Sequence, residues 1–266
     1  MGIISRFPAG ATKPYIEEIY NSDGQLIDVK MYGYETIRDF FFSSCYELAL
    51  TTLPSGITSI GYSAFSGCSS LALTSLPSGL TSISNNAFEY CTSLALTTLP
   101  SGITSIGGGA FAECTNLALT TLPSGLTNIG NSAFAVCTNL ALTTLPNGIT
   151  SIDDYAFVGC SSLALTSLPS GITSIGSRAF AECTSLALTT LPSGITSIGD
   201  YAFVGCSSLV SLTFEGTPEN IGAGAFAGCN NLTTINVPWA EGAVANAPWG
   251  AENATINYGY TGYNMR

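Results

Sequence analysis

The sequence contains no histidine, and lysine occurs only at Lys13 and Lys30. The chain therefore lacks the commonest general base, the Ser–His and Cys–His nucleophile pairs, and imidazole ligands for metals. The adjacent carboxylates Asp153 and Asp154 are the remaining route to catalysis, but neighbours in a turn usually point apart. We interpret this pair as solvated surface, with a weak cation site as the alternative. The sequence thus predicts a protein that is not an enzyme and that has no cofactor and no metal site.

Charge is also scarce, because charged residues make up only 9% of the chain. Six basic residues stand against 17 acidic ones, and the net charge is −11. Binding to nucleic acid or to anionic lipid needs clustered Lys and Arg, so we expect neither. No apolar run approaches the roughly 18 residues of a membrane-spanning helix, and no signal peptide is visible at the start. We therefore expect no membrane insertion.

The dominant feature is an internal repeat of 23 residues. A cysteine recurs at this interval without insertion, and a phenylalanine precedes each cysteine by three positions. The cysteines are Cys45, Cys68, Cys91, Cys114, Cys137, Cys160, Cys183, Cys206 and Cys229. Such regularity predicts a solenoid in which each unit buries its apolar side against its neighbours, because one unit alone has too small a core.

One unit, Cys68–Tyr90, shows the expected local structure. Leu71–Leu76 is rich in Leu and Thr and predicts a strand, which Pro77–Gly79 ends as a turn. Leu80–Ile83 predicts a second short extended piece. The following Ala87–Cys91 predicts one helical turn that places Phe88 and Cys91 on one face.

The pattern L-x-x-I-x-x-x-A-F-x-x-C-x-x-L resembles the BspA-like class of leucine-rich repeats. The strand spacing of the class is matched best by Leu209, Leu212 and Phe214, and the tail 237–260 is similar to the C-terminal end of many bacterial and phage-borne members. The resemblance covers about residues 30–260. It implies a leucine-rich-repeat solenoid with a parallel β-sheet on one face and short helical turns on the other. It also implies an extracellular or cell-surface protein that binds or adheres.

The central units depart from the family pattern. Their leucines lie at offsets 3, 5 and 8 from cysteine, as in Leu94, Leu96 and Leu99, whereas the usual offsets are 3, 6 and 8. Thr97 and its equivalents take the place of the middle apolar residue. We expect a bulge or a re-aimed strand at this position.

The repeats divide the chain into three parts. Residues 1–32 form an N-terminal segment in which residues 15–32 read as a β-hairpin, with its turn at Asn21–Gly24. Residues 33–237 form the array, with eight full units and partial ends, and 238–266 form a C-terminal cap. The aromatic residues of that end, among them Trp239 and Trp249, are interpreted as capping side chains, with a binding patch as the alternative.

The nine cysteines allow three interpretations. An odd number cannot all pair within one chain, and zinc sites place cysteines at short gaps rather than one per layer. Each cysteine belongs to the same apolar face as a phenylalanine. We therefore predict a column of reduced, buried thiols.

The candidate binding surface consists of exposed hydroxyls that recur once per unit. One file of threonines is followed by a second file of Ser or Thr. The first file is Thr74, Thr97, Thr120, Thr143, Thr166 and Thr189. The alternative is that these hydroxyls only solvate a sheet and form cross-strand pairs.

These features favour a non-enzymatic adhesion or ligand-binding solenoid, whose partner is a protein or glycan on a host or neighbouring cell surface. The alternative is a structural spacer or scaffold segment of a larger surface or virion protein. Ice binding through the threonine files is a further hypothesis, against which the expected curvature of the solenoid argues.

Overall fold

The structure, a computed structural model, describes residues 2–5 and 14–262. It is a parallel β-solenoid of about ten turns, each about 23 residues long, and the described residues contain no helix. The predicted solenoid is confirmed. The strands, in chain order, are β1 (Gly2–Ser5), β2 (Tyr15–Tyr20), β3 (Leu26–Tyr32), β4 (Thr36–Ile37), β5 (Ser59–Ile60), β6 (Ser82–Ile83), β7 (Ser105–Ile106), β8 (Asn128–Ile129), β9 (Ser151–Ile152), β10 (Ser174–Ile175), β11 (Thr190–Leu191), β12 (Ser197–Ile198), β13 (Ser211–Phe214), β14 (Asn220–Ile221), β15 (Thr234–Asn236) and β16 (Thr255–Asn257).

Two sets of parallel strands run along the solenoid. The first set consists of strands of two residues each, in the sheets β4–β5, β6–β7–β8 and β9–β10–β12–β14. Residues that pair between neighbouring strands are one 23-residue unit apart, as Ile83 and Ile106 are. The second set, β11–β13–β15–β16, forms only near the C-terminal end. There Leu212 pairs with Ile235, again one unit apart.

The expected bulge or re-aimed strand explains why the second sheet stops at β11. In the central units the chain bends at Thr74 and at its equivalents Thr97, Thr120, Thr143 and Thr166. In a regular strand, side chains alternate between the two faces, so only residues an even number of positions apart share a face. Leu94 and Leu96 are two positions apart, but Leu96 and Leu99 are three apart, so the three cannot all point inward from a regular strand. Because β13 has the usual spacing, it continues as a regular ladder.

The interior is filled by the same side chains in every layer. The phenylalanine rings stack face to face, and from Phe65 to Phe226 neighbouring ring centroids lie 5.4–5.6 Å apart. All of these rings are fully buried. One column of aromatic side chains therefore joins most of the layers into a single continuous core.

The segment predicted as a helical turn is instead a run of tight turns. In Ala87–Cys91 the N–H of Cys91 donates to the Phe88 carbonyl at 3.1 Å, but the N–H of Phe88 donates to Ala110 of the next layer at 2.9 Å. Backbone N–H groups that a helix would bond to its own i−4 carbonyls are thus bonded to the neighbouring layer instead. The prediction of a helix was wrong in this detail, because it weighed the local spacing without the neighbouring layer.

An antiparallel hairpin closes the N-terminal end of the array. The predicted hairpin is present as β2 and β3, joined through Asn21–Gly24, and β1 adds a third antiparallel strand. The carbonyl of Ile27 accepts a hydrogen bond from Ala49 of the first layer at 2.9 Å, which ties the hairpin to the array. The proposed division of the chain after residues 32 and 237 stays a prediction.

Candidate functional site

The six threonines of the first file, Thr74 to Thr189 at intervals of 23, are all exposed, as are Ser75, Thr98, Thr121, Thr144 and Ser167 of the second file. We call these two files the Thr face. Behind them lie Leu73 and its equivalents, all buried, and Leu76 and its equivalents, which are buried except for the partly buried Leu99 and Leu122, so the core holds the backbone that presents the hydroxyls. The Thr face carries no charged side chain.

A second set of threonines shows what is particular about the Thr face. The hydroxyl of Thr104 donates to the carbonyl of Thr81 in the preceding layer at 3.3 Å, and Thr127, Thr173 and Thr196 make the same bond. Within residues 14–262, the hydroxyls of the first file make no such bond and no pair with one another. The expected alternative of cross-strand Thr pairs is therefore absent from the described part of the chain, and these hydroxyls are left to water or to a ligand.

A shallow groove includes part of the Thr face. It encloses about 420 Å³ and is lined by Thr121, Leu122, Thr144, Leu145 and Pro146, among others. Its walls combine hydroxyls with apolar side chains, a composition that suits an extended surface of a partner better than a small enclosed substrate.

On the opposite side, the turns hold two columns of residues in the left-handed backbone region. One column lies five positions before each cysteine and the other lies one position before it. The first is Phe40, Ser63, Asn86, Gly109, Ser132, Tyr155, Arg178, Tyr201 and Gly224, with φ between 49° and 62°. The second is Ser44, Gly67, Tyr90, Glu113, Val136, Gly159, Glu182, Gly205 and Gly228, with φ between 59° and 79°.

These two columns are where the units differ most. A left-handed conformation costs a non-glycine residue about 1–2 kcal/mol, yet large side chains recur here. The sequence pattern predicted a helical turn here and missed the left-handed backbone conformation. The signal was present, because Gly109, Gly224 and Asn86 share one column and these residue types favour positive φ.

The cysteine column is buried, as predicted. All nine cysteines are free, and every one but the half-buried Cys45 is buried. Each buried thiol donates to a phenylalanine carbonyl 26 residues earlier, as Cys137 does to Phe111 at 3.0 Å. Burial raises the pKa of the Cys68 thiol to about 12 and raises that of Cys137 well above its ordinary value. Such thiols are poor nucleophiles and belong to the packing of the core.

The two adjacent carboxylates each accept a hydrogen bond from another residue of the chain. The Asp154 Oδ1 atom accepts a hydrogen bond from the Ser177 N–H at 2.6 Å, and the Asp153 Oδ1 atom accepts one from the Ser151 hydroxyl at 3.5 Å. Among the described residues, no group of three or more His, Cys, Asp or Glu side chains has the geometry of a metal site.

The C-terminal tryptophans close the core. Trp239 and Trp249 are buried, and their ring centroids lie 5.2 and 6.2 Å from that of Phe214. The Trp249 indole N–H donates to the Ala245 carbonyl at 2.7 Å. These contacts agree with the capping interpretation. Because both indoles are buried, they do not belong to an exposed binding patch.

The repeat geometry and the buried Phe and Cys columns agree with a family comparison. The model of the BspA type leucine rich repeat region matches six copies, over residues 35–164 and 127–242. The chain belongs to this family. As a BspA-type array it is a leucine-rich-repeat protein of a kind that commonly serves as a binding scaffold and is typically non-catalytic.

Solved structures give the same fold. The T. pallidum leucine-rich-repeat protein is 28% identical, with a TM-score of 0.50 over 64% of this chain and 86% of that one. A leucine-rich-repeat protein from Eubacterium ventriosum is 19% identical, with a TM-score of 0.51 over 93% of this chain and 85% of the other. A comparison with curated proteins gave no match. Within the described part of this BspA-type chain, no helix is long and apolar enough to cross a membrane.

Proposed function

We propose that this BspA-type array is a non-enzymatic adhesion or ligand-binding protein displayed on a cell surface, and that the Thr face contacts the partner. The observation that carries the proposal is the contrast between the two sets of threonines. The hydroxyls of Thr104, Thr127, Thr173 and Thr196 are used between layers, whereas those of the first file have no protein partner among residues 14–262.

The geometry favours a large partner of repetitive or extended shape. Exposed hydroxyls recur once per layer, at the spacing of about 4.8 Å between parallel strands. Each hydroxyl can both donate and accept, so a protein backbone or the hydroxyls of a glycan can bond to several layers at once. Weak contacts repeated along one rigid surface add up to a useful affinity.

The test is a binding assay on a panel of host extracellular proteins and glycans. The Thr97→Lys, Thr120→Lys and Thr143→Lys triple variant should lose saturable binding, because it places three long charged side chains on the Thr face. The matched control carries the same three charges outside the two hydroxyl files, as Asn116→Lys, Asn139→Lys and Ser185→Lys, and should bind normally. All six positions are exposed, so both variants should fold.

Two results would contradict the proposal. Equal loss of binding in both triple variants would show that net charge, rather than the Thr face, controls attachment. A wild-type chain that binds nothing in the panel would favour the alternative function, a structural spacer whose uniform layers hold other parts of a larger surface protein apart.

A further inference from the structure

The turn side carries a cluster of large exposed side chains in three successive layers. Tyr155, Arg178 and Tyr201 occupy equivalent positions one unit apart, all with left-handed backbone at φ of 53–58°. The Arg178 guanidinium carbon lies 4.8 Å from the centre of the Tyr201 ring. A Cβ atom on Gly224 would lie only 2.6 Å from the Tyr201 ring, so the glycine of the next layer leaves room for that ring.

A polar groove is lined by Asp154 and Ser177, the residues that directly precede Tyr155 and Arg178 in the sequence. It has a volume of about 430 Å³ and its lining includes Asp153, Asp154, Ser174, Ser177 and Ser197. Asn131 and Asn220 also line it and lie about four units apart, so at about 4.8 Å per layer the groove is about 19 Å long. It is therefore an elongated groove that follows the solenoid axis.

The carboxylates beside the cluster are held in fixed positions. The Oδ1 atom of Asp154 accepts the N–H of Ser177 at 2.6 Å, and that of Asp200 accepts the N–H of Ala223 at 2.7 Å. Among the described residues the second oxygen of each carboxylate bonds to no protein donor. Each is therefore a preorganised acceptor for a hydroxyl of a ligand.

This combination fits a saccharide. A sugar ring has an apolar C–H face, which stacks on an aromatic ring, and a rim of hydroxyls, which bonds to carboxylates, amides and serine hydroxyls. We propose that the Tyr155–Arg178–Tyr201 cluster and its groove bind a neutral oligosaccharide. A sulfated or uronic-acid glycan is disfavoured, because the carboxylates Asp153 and Asp154 line the groove and Arg178 is the only basic residue between positions 39 and 265. The site lies apart from the Thr face and does not depend on it.

The test is calorimetric titration of the full chain with neutral tetrasaccharides, namely cellotetraose, chitotetraose and mannotetraose, and with a heparin tetrasaccharide. At least one neutral probe should bind, and the heparin probe should not. The Tyr155→Ser/Tyr201→Ser variant should weaken that binding about tenfold, because it removes both aromatic rings of the cluster. Serine already occupies this column at Ser63 and Ser132 with φ of 49° and 55°, so the variant should fold.

Two controls separate this inference from the proposed function. Tyr90→Ser removes another exposed tyrosine from the turn side, at a column where Ser44 already occurs, and should leave saccharide binding unchanged. The Thr97, Thr120 and Thr143 triple lysine variant should also bind the saccharide normally. Absence of heat with every neutral probe at millimolar concentration, preference for heparin, or loss of binding in the Thr variant but not in the tyrosine variant would each overturn the inference.

Discussion

The Cys137 thiol donates a hydrogen bond of 3.0 Å to the backbone carbonyl of Phe111, which precedes it by 26 residues. The thiol thus joins its own layer to the preceding one. The same bond recurs in every unit from Cys68 to Cys229. The thiols therefore hold neighbouring layers together.

Thiol titration should distinguish Cys45 from the other cysteines. Cys45 is half-buried while the remaining eight are buried, so one thiol should react quickly in the native protein and eight slowly. Denaturation should release all nine. Ellman's reagent under non-reducing conditions measures this directly, and fewer than nine thiols in the denatured chain would contradict the reduced column.

Stability should fall steeply at alkaline pH. The folded pKa of the buried thiols is raised, to about 12 for Cys68, whereas an unfolded thiol ionises near its ordinary pKa of 9.0. The stabilisation is therefore complete below pH 9 and is lost as the pH rises toward 12, by at most about 1.4 kcal/mol per pH unit for each thiol. Urea unfolding across this range measures the slope. A Cys114→Ala/Cys137→Ala/Cys160→Ala variant should show a shallower dependence, and an unchanged slope would refute this cause.

Removing a central ring should be costly. Phe134 is fully buried and stacks on Phe111 and Phe157, each at 5.5 Å. Phe134→Ala should lower the free energy of unfolding by about 3–5 kcal/mol, since it leaves a cavity between two layers. The exposed Tyr90 provides the control, because Tyr90→Ala should change stability by no more than about 0.5 kcal/mol. Comparable losses in both variants would argue against the aromatic column as the source of stability.

Relief of backbone strain should stabilise the array. Val136 is β-branched and has φ of 59°, a conformation that suits glycine, and Gly159 occupies the equivalent position of the next layer. Val136→Gly should therefore raise stability by about 0.5–1 kcal/mol. Val158 is also half-buried but has no positive φ, so Val158→Gly should destabilise the protein. Thermal unfolding of the two variants tests the opposite signs.

Deletion of one whole unit should leave a folded protein. Removal of residues 114–136 joins Glu113 to Cys137 and brings together two layers with the same interior side chains. The shortened chain should melt cooperatively, with its urea m-value lower by about a tenth, since about one turn in ten is lost. Loss of the cooperative transition in circular dichroism would be evidence against layers that contact only their nearest neighbours.

The parts of the candidate site differ in how far the sequence predicts them. The exposure of Thr97 and its equivalents follows from the repeat, since the leucines on both sides must point inward. The distinction between these hydroxyls and that of Thr104 does not, because it depends on whether a carbonyl of the preceding layer lies within reach. The Tyr155–Arg178–Tyr201 cluster likewise needs the fold, which stacks residues 23 positions apart in sequence directly upon one another.

The solenoid, the length of its layer and the contents of its core could all be predicted from the sequence alone. A strict 23-residue period that repeats the same apolar side chains has one stable arrangement, in which identical layers stack and cover each other. The sequence did not reveal that Ala87–Cys91 is a run of turns and not a helix, or that β11, whose unit has the leucine spacing of the central units, still joins the second sheet. Both depend on hydrogen bonds to the adjacent layer, and such bonds compete with the local preferences from which sequence patterns are interpreted.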